Sequence, residues 1–236
     1  MSATTAPPRR VPLCEAEPLA AELETLLEPA CIRIEIAGSI RRQAAEVKDI
    51  ELVCVPRMVA RGGDEKLLFP LSESDETLDL ASAVDGRVET LCGARAVDLQ
   101  YDTLKPANGS RQKRLLFHRV QVDLFILIPP ADWGVMFTLR TGPAVWSKRL
   151  VTNRKHGGLL PDRLAVCGGG QLVESRQHVV PVLEERNFFA ICGLPWVEPA
   201  QRTFERLCRL LQGRGNAPAP GADRAREQTS RDRRGA

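Results

Sequence analysis

Two periods of hydrophobic positions alternate along the first sixty residues. Leu19, Leu23, Leu26 and Leu27 recur at helical spacing and predict a helix over Glu15–Leu27, which Pro29 ends. Cys31–Ala37 (CIRIEIA) then alternates with a period of two, as a half-buried strand does, and runs directly into Gly38-Ser39. A short helix follows, and the apolar run Ile50–Val55 predicts a second strand.

The pattern is weakest over residues 57–110, where Asp75–Val84 suggests a short helix, Ala94–Tyr101 a strand and Lys105–Ser110 a turn or loop. Arg111–Phe117 and Val120–Ile128 predict a hairpin turning near His118-Arg119. Helical periodicity returns at Asp132–Arg140 and breaks at Thr141-Gly142-Pro143. Pro143 suits the first turn of another helix reaching about His156, with Gly157-Gly158 closing it. Arg163–Cys167 and Gln171–Glu174 predict a second hairpin, and helices are expected from Pro181 to Ile191 and over Pro199–Gln212.

The Pro-, Arg- and Thr-rich start (1–12) and the Gly-, Pro-, Ala- and Arg-rich end (213–236) lack an apolar pattern and are expected to be disordered. No apolar run approaches the roughly 20 residues of a membrane span. The N-terminus has no apolar signal core, so a monomer in the cytoplasm, without membrane contact, is expected. Seven scattered cysteines without a CxxC pair argue against a zinc ribbon, and buried reduced thiols are the plain reading. The three histidines are scattered too and are read as structural or surface residues.

Charge is segregated. Residues 64–89 carry eight acids against Lys66 and Arg87, whereas residues 105–119 carry five bases and no acid. A second basic stretch runs from Arg140 to Arg163, and the last segment holds six arginines against three acids. Such clustering suits a polyanionic partner, and nucleic acid fits it.

The most specific chemistry lies in residues 38–51, GSIRRQAAEVKDIE. Gly38 lets the backbone approach a phosphate, and Ser39 can cap a helix and add a hydroxyl donor. Arg41 and Arg42 follow, where bidentate phosphate contacts are natural. Asp49 and Glu51 share one face of the coming strand, so both carboxylates can grip hard cations. A phosphate cradle beside paired carboxylates is what metal-assisted phosphoryl or nucleotidyl transfer requires.

This arrangement resembles the nucleotidyltransferase superfamily and, within it, the family X DNA polymerases typified by polymerase beta. The resemblance extends to Phe137–Pro143 (FTLRTGP) and to Pro181–Arg202, and so covers about residues 15–210. It implies an α/β (α+β) fold: a nucleotidyltransferase palm with a mixed β-sheet and flanking helices over 13–140, then a small thumb over 141–212. No amino-terminal lyase domain is expected. It also implies a third carboxylate on a later strand. Asp123 in VQVDLFILI is preferred, since its strand is longer and leads into Pro129-Pro130; Asp98 is the rival.

By this likeness Asp49, Glu51 and Asp123 would hold two Mg²⁺ or Mn²⁺ ions. Gly38, Ser39, Arg41, Arg42, Lys48, Thr141 and Gly142 would bind a nucleoside triphosphate. Lys113, Arg114, Lys148 and Arg149 would meet nucleic acid, DNA by preference, in a reaction suited to repair. The expected reaction adds a nucleotide to a DNA 3′-hydroxyl and releases pyrophosphate. A template-independent transferase acting on RNA, a small molecule or a protein is the first alternative, and a non-catalytic nucleic-acid-binding protein the second. Departures from the family pattern sharpen the expectations. Val47-Lys48 replace Ser-Gly, with Lys48 substituting by charge, and Leu139-Arg140 replace the Tyr-Phe pair beside the sugar. Ala144 and Ser147 stand where an Asp and an Asn contact the base. Weak sugar discrimination and altered base checking follow.

Overall fold

The computed structural model describes residues 10–60, 80–99, 109–167, 169–174 and 178–215. It opens on β1 (Val11–Pro12) and α1 (Leu13–Leu27), then β2 (Cys31–Ile36), the single turn α2 (Gly38–Arg41), β3 (Glu46–Val47) and β4 (Asp49–Pro56). Residues 11 and 12, expected to be disordered, are ordered because Val11 pairs with Val47 and both are buried. Helix α1 buries Ala16, Ala20, Leu23 and Leu27, spaced four, three and four apart, with Leu19 and Leu26 only at the edge of that stripe.

The hard-to-read middle differs from expectation. Met58–Ala60 (β5) pairs antiparallel with Leu80–Ser82 (β6), so residues 80–82 of the helix expected over Asp75–Val84 are strand, 75–79 lie outside the described residues, and a helix begins at Ala83 (α3, Ala83–Gly93). Its buried stripe is Val84, Val88 and Leu91, an apolar spacing masked in the sequence by Asp85, Gly86, Arg87 and Glu89. The strand expected over Ala94–Tyr101 begins only at Asp98 and is described as Asp98–Leu99 (β7); residues 100 and 101 lie outside the described residues, as do residues 64–79 of the acidic segment and 105–108 of the expected turn. Gln112–Phe117 (β8) and Val120–Ile126 (β9) form the expected hairpin. His118 and Arg119 both take positive φ, 46° and 65°, the backbone of a tight two-residue turn that matches strand twist.

These strands build one mixed sheet in the order β2-β4-β9-β8-β7, in which β4 and β9 are parallel and the other pairs antiparallel. Ile50, Leu52, Cys54, Val122, Leu124 and Ile126 face α1 and α3 in the principal core. Each such aliphatic side chain contributes about 1.5–3 kcal/mol by leaving water. On the opposite face Val53, Phe125 and Leu127 pack with Ala37, Trp133 and Phe137.

Helix α4 (Trp133–Thr141) carries that second face and also turns Val135 into a further core, made with α5 (Ala144–Val151), the strands β10 (Leu164–Cys167) and β11 (Gln171–Glu174), α6 (Glu185–Ile191) and α7 (Phe204–Gly215), while β12 (His178–Val179) pairs with β11 and is exposed. Helix α5 stops at Val151 and not near His156. Asn153 donates to the carbonyls of Pro161 and Leu164 at 3.1 and 2.8 Å and bridges to Leu160, which pulls the chain out of the helix. Helix α6 starts at Glu185 and not near Pro181, because Glu184 and Asn187 form a capping box and the stretch before them lies extended along α4. Gly134 allows that approach: it donates to Val182 O at 2.9 Å, and a Cβ there would collide with the Glu184 backbone. Pro199–Gln201 is a 3₁₀ turn, so the last helix begins only at Phe204, and it takes up Gly213–Gly215 of the segment expected to be disordered. None of the described helices is long and apolar enough to cross a membrane.

Two ionic links tie β2 and α2 to the start of α6. Arg33 grips Glu184 with Nη1 at 2.7 Å and Nη2 at 3.2 Å while lying over Trp133. Arg41 meets Glu185 at 2.6 Å, and Glu185, 4% exposed, also accepts from buried Arg202 at 3.0 Å.

Candidate active site

Strand β4 enters the sheet at Asp49, and its period of two turns Asp49 and Glu51 away from the principal core. The parallel register with β9 sets Asp49 beside Gln121 and Glu51 beside Asp123. Four polar side chains therefore share one face, and the three acids feel one another. Burial and the charge of Asp123 push Asp49 above the usual carboxylate range, while Lys48, Arg114 and Arg42 oppose the shift. Glu51 rises from 4.5 to about 7, chiefly through burial and then through Asp49, against the pull of Arg42 and Arg140. Asp98 lies on β7, two strands from β9, paired with Leu116. Asp123, not its rival, joins the pair.

The glycine turn sits directly on Glu51. Gly38 has φ +61°, and a Cβ there would collide with the Glu51 carboxylate, so glycine is required on both counts. The Ala37 amide donates to Glu51 O at 2.8 Å and fixes the turn to β4. Ala37 is the N-cap of α2, so Ser39 does not cap as expected; its Oγ is buried without a hydrogen-bond partner. Lys48 is exposed, 3.9 Å from Asp49 Oδ2.

The arginines divide by role. Arg42 is half-buried beside Glu51 and Asp49, and burial lowers its proton affinity. Its Nη1 donates to Thr141 O at 2.6 Å. Arg41, expected at the phosphates, instead donates to Thr141 Oγ1 at 2.8 Å, pairs with Glu185 and lies over Phe137. Thr141 is fully buried and serves both arginines, and Gly142 closes α4 with its amide on Thr138 O at 3.1 Å. These two anchor the turn to α4; Thr141 has no surface left for a nucleotide.

Lys113 likewise departs from expectation. It faces the principal core, 4% exposed, and meets Asp85 of α3 at 2.6 Å, so it cannot lie along a nucleic-acid backbone. Arg114, next in the strand, faces the acids and holds Asp123 with Nε at 2.7 Å and Nη2 at 3.3 Å. Lys148 and Arg149 are in the last turn of α5, where Lys148 is exposed and Arg149 donates to Gly157 O at 2.7 Å. Of the cysteines, Cys31, Cys54 and Cys192 are buried, but Cys14 and Cys167 are exposed.

Two further polar residues of the face are not among the expected site residues. Gln121 donates to Asp123 Oδ2 at 3.4 Å; its place two residues before Asp123 was the available signal. Arg140 reaches the cluster from α4, lies over Phe125 at 3.8 Å and is attracted by Glu51 and Asp123. The resemblance sets Arg140 beside the sugar and not among the acids, because its contact with them depends on how α4 crosses the sheet.

The donor set suits a hard divalent cation: three carboxylate side chains on adjacent strands, with Asp49 held above its ordinary pKa by burial and Asp123, and Glu51 by burial and Asp49, a penalty a cation would relieve. Among the described residues, no three His, Cys, Asp or Glu side chains are gathered as an assembled ligand group, and Arg114 engages both Asp123 oxygens. Neither a family model nor a curated protein matches the sequence.

Proposed function

We propose that the chain is a metal-dependent nucleotidyltransferase, a minimal family X-like DNA polymerase with a palm over the mixed sheet and a thumb over the C-terminal helices. The observation that carries the reading is the in-register placement of Glu51 beside Asp123, with Asp49 on the same face and the Gly38-Ser39 turn resting on Glu51.

Asp49, Glu51 and Asp123 would hold a catalytic Mg²⁺ or Mn²⁺, and Asp49 with Glu51 a second ion accompanying the triphosphate. Bound there, such ions lower the pKa of the attacking hydroxyl and neutralise charge on the transferring group. The buried Ser39 hydroxyl, without a partner, donates to the β- or γ-phosphate, and Arg42 supplies positive charge at the same turn. The nucleic acid 3′-oxygen forms a bond to the α-phosphorus as the bond from that phosphorus to the α–β bridging oxygen breaks. Pyrophosphate departs with the electron pair, and the hydroxyl proton passes to solvent. Gly38 keeps the turn close, and the Arg41–Glu185 link keeps the turn and α6 in register.

A second reading has one specific observation behind it. Arg114 holds Asp123 in the manner of a fixed ion pair, which suits a nucleic-acid-binding protein whose acids no longer meet cations. One experiment separates the two: purified protein with Mg²⁺ or Mn²⁺ and labelled primer, with and without template, and each nucleotide supplied separately. Metal-dependent extension supports the transferase; primer binding without extension under all conditions supports the second reading.

A further inference from the structure

Arg140 is held differently from the other arginines of the site. Arg42 is tied to Thr141 O and Arg114 to both oxygens of Asp123. The Arg140 guanidinium lies over Phe125, its central carbon 3.8 Å from the ring centre, two residues beyond Asp123 on the same face of β9, and its Nε is buried without a hydrogen-bond partner. It comes from the last turn of α4, which packs across the sheet on the carboxylate side. Leaving a guanidinium N–H desolvated and unpaired is costly, and a phosphate oxygen is the partner that would remove the cost. The ring contact restricts the guanidinium, whose planar fork can bind two phosphate oxygens at once.

Charge supports the same assignment. Three acids without compensation would repel a polyanion, and Arg42, Arg114 and Arg140 balance them one for one. Arg42 and Arg114 already make the hydrogen bonds named above; Arg140 brings a positive charge with an unused donor.

We propose that Arg140 binds the non-bridging oxygens of the transferring α-phosphate and stabilises the charge that grows there, with Phe125 as its positioning residue. The inference rests on the nucleotidyl-transfer reading and deepens it by naming the group that touches the reacting phosphate from α4. It asks for no reactant beyond the triphosphate and the attacking hydroxyl. Those alone exchange bonds; Arg140 remains protonated throughout and donates hydrogen bonds only.

The test compares the wild-type protein with Arg140→Ala, Arg140→Lys, Arg140→Met and Phe125→Leu, and with Arg186→Ala as a control at an exposed position. Transfer is measured in single turnover at saturating nucleotide with Mg²⁺. Nucleoside triphosphate binding is measured separately with Ca²⁺, and folding is checked by thermal melting. Arg140→Ala is expected to lower the transfer rate about a hundredfold or more while triphosphate affinity changes less than about tenfold, as for loss of a group acting at the transition state. Arg140→Lys should recover little, because an ammonium cannot offer the fork, and Phe125→Leu should fall between. If Arg140→Ala does not fold, Arg140→Met, which still covers Phe125, is read in its place. Transfer within threefold of wild type in the Ala or Met variant overturns the inference while leaving the transferase reading intact, as does full activity with lysine. A wild-type protein that binds primer but transfers nothing under any condition overturns the transferase reading, and this inference with it.

Discussion

Glu51 and Asp123 stand side by side on β4 and β9, the parallel pair at the centre of the mixed sheet. Both face away from the principal core, and each has an arginine at hand: Asp123 is bonded to Arg114, and Glu51 feels Arg42 and Arg140. The first prediction follows from this pairing. Asp123→Asn should lower nucleotide transfer about a thousandfold or more, some 4 kcal/mol of transition-state stabilisation, with triphosphate binding largely kept. Asp49→Asn should damage both steps, and Asp98→Asn, two strands away, neither. Near-normal turnover in Asp123→Asn would remove that residue from the reaction.

Burial raises Glu51 to about 7, so its protonated form is favoured by folding. The sign follows: a carboxyl raised in the folded state stabilises most below its ordinary 4.5, and that stabilisation is lost as the pH climbs through about 7. The loss is on the order of 3 kcal/mol, at about 1.4 kcal/mol per tenfold change in proton affinity. Urea unfolding of the metal-free protein between pH 5 and 8 should show stability falling, with the fall largely absent in Glu51→Gln. Mg²⁺ should stabilise more at pH 8 than at pH 5.

Glu185 is buried between Arg41 and Arg202. Removing it strands a buried guanidinium, so Glu185→Ala should cost about 3–5 kcal/mol in urea unfolding. Arg33→Ala breaks the more exposed pair with Glu184 and should cost about 1 kcal/mol or less for the ion pair itself. Equal costs would mean that the Arg41–Glu185–Arg202 link carries no special share of stability.

Gly38→Ala should be destabilising and inactivating together, since it meets both a left-handed backbone and the Glu51 carboxylate. A loss of more than about 1 kcal/mol is expected from the strained φ alone. Unfolding and primer extension on the same preparation check both effects, and a stable, active variant would show that the turn need not touch Glu51.

Leu139 is partly buried against the C-terminal core and Arg140 lies over Phe125, so neither sets an aromatic wall beside a sugar. Matched deoxy- and ribonucleotides should therefore be inserted with similar efficiency. A deoxynucleotide preference beyond about a thousandfold, roughly 4 kcal/mol, would contradict this.

The sequence by itself determined the features that depend on neighbours along the chain. The period of two put Asp49 with Glu51 and Asp123 with Phe125, and Gly38-Ser39 at the end of an alternating strand marked the turn. Hairpins at 112–126 and 164–174 were legible for the same local reason. Tertiary structure decided what depends on how elements cross. Only the β4–β9 register shows that Asp123 and not Asp98 joins the pair. Only the inward face of β8 turns Lys113 from an apparent surface base into a partner of Asp85, one position from Arg114, which points the other way. Arg41 and Arg42 are adjacent and chemically alike, yet the first is committed to Glu185 and the second stays beside the acids. A long, flexible cation can reach any of several anions within its arc, and which one it meets is set by packing far away in sequence.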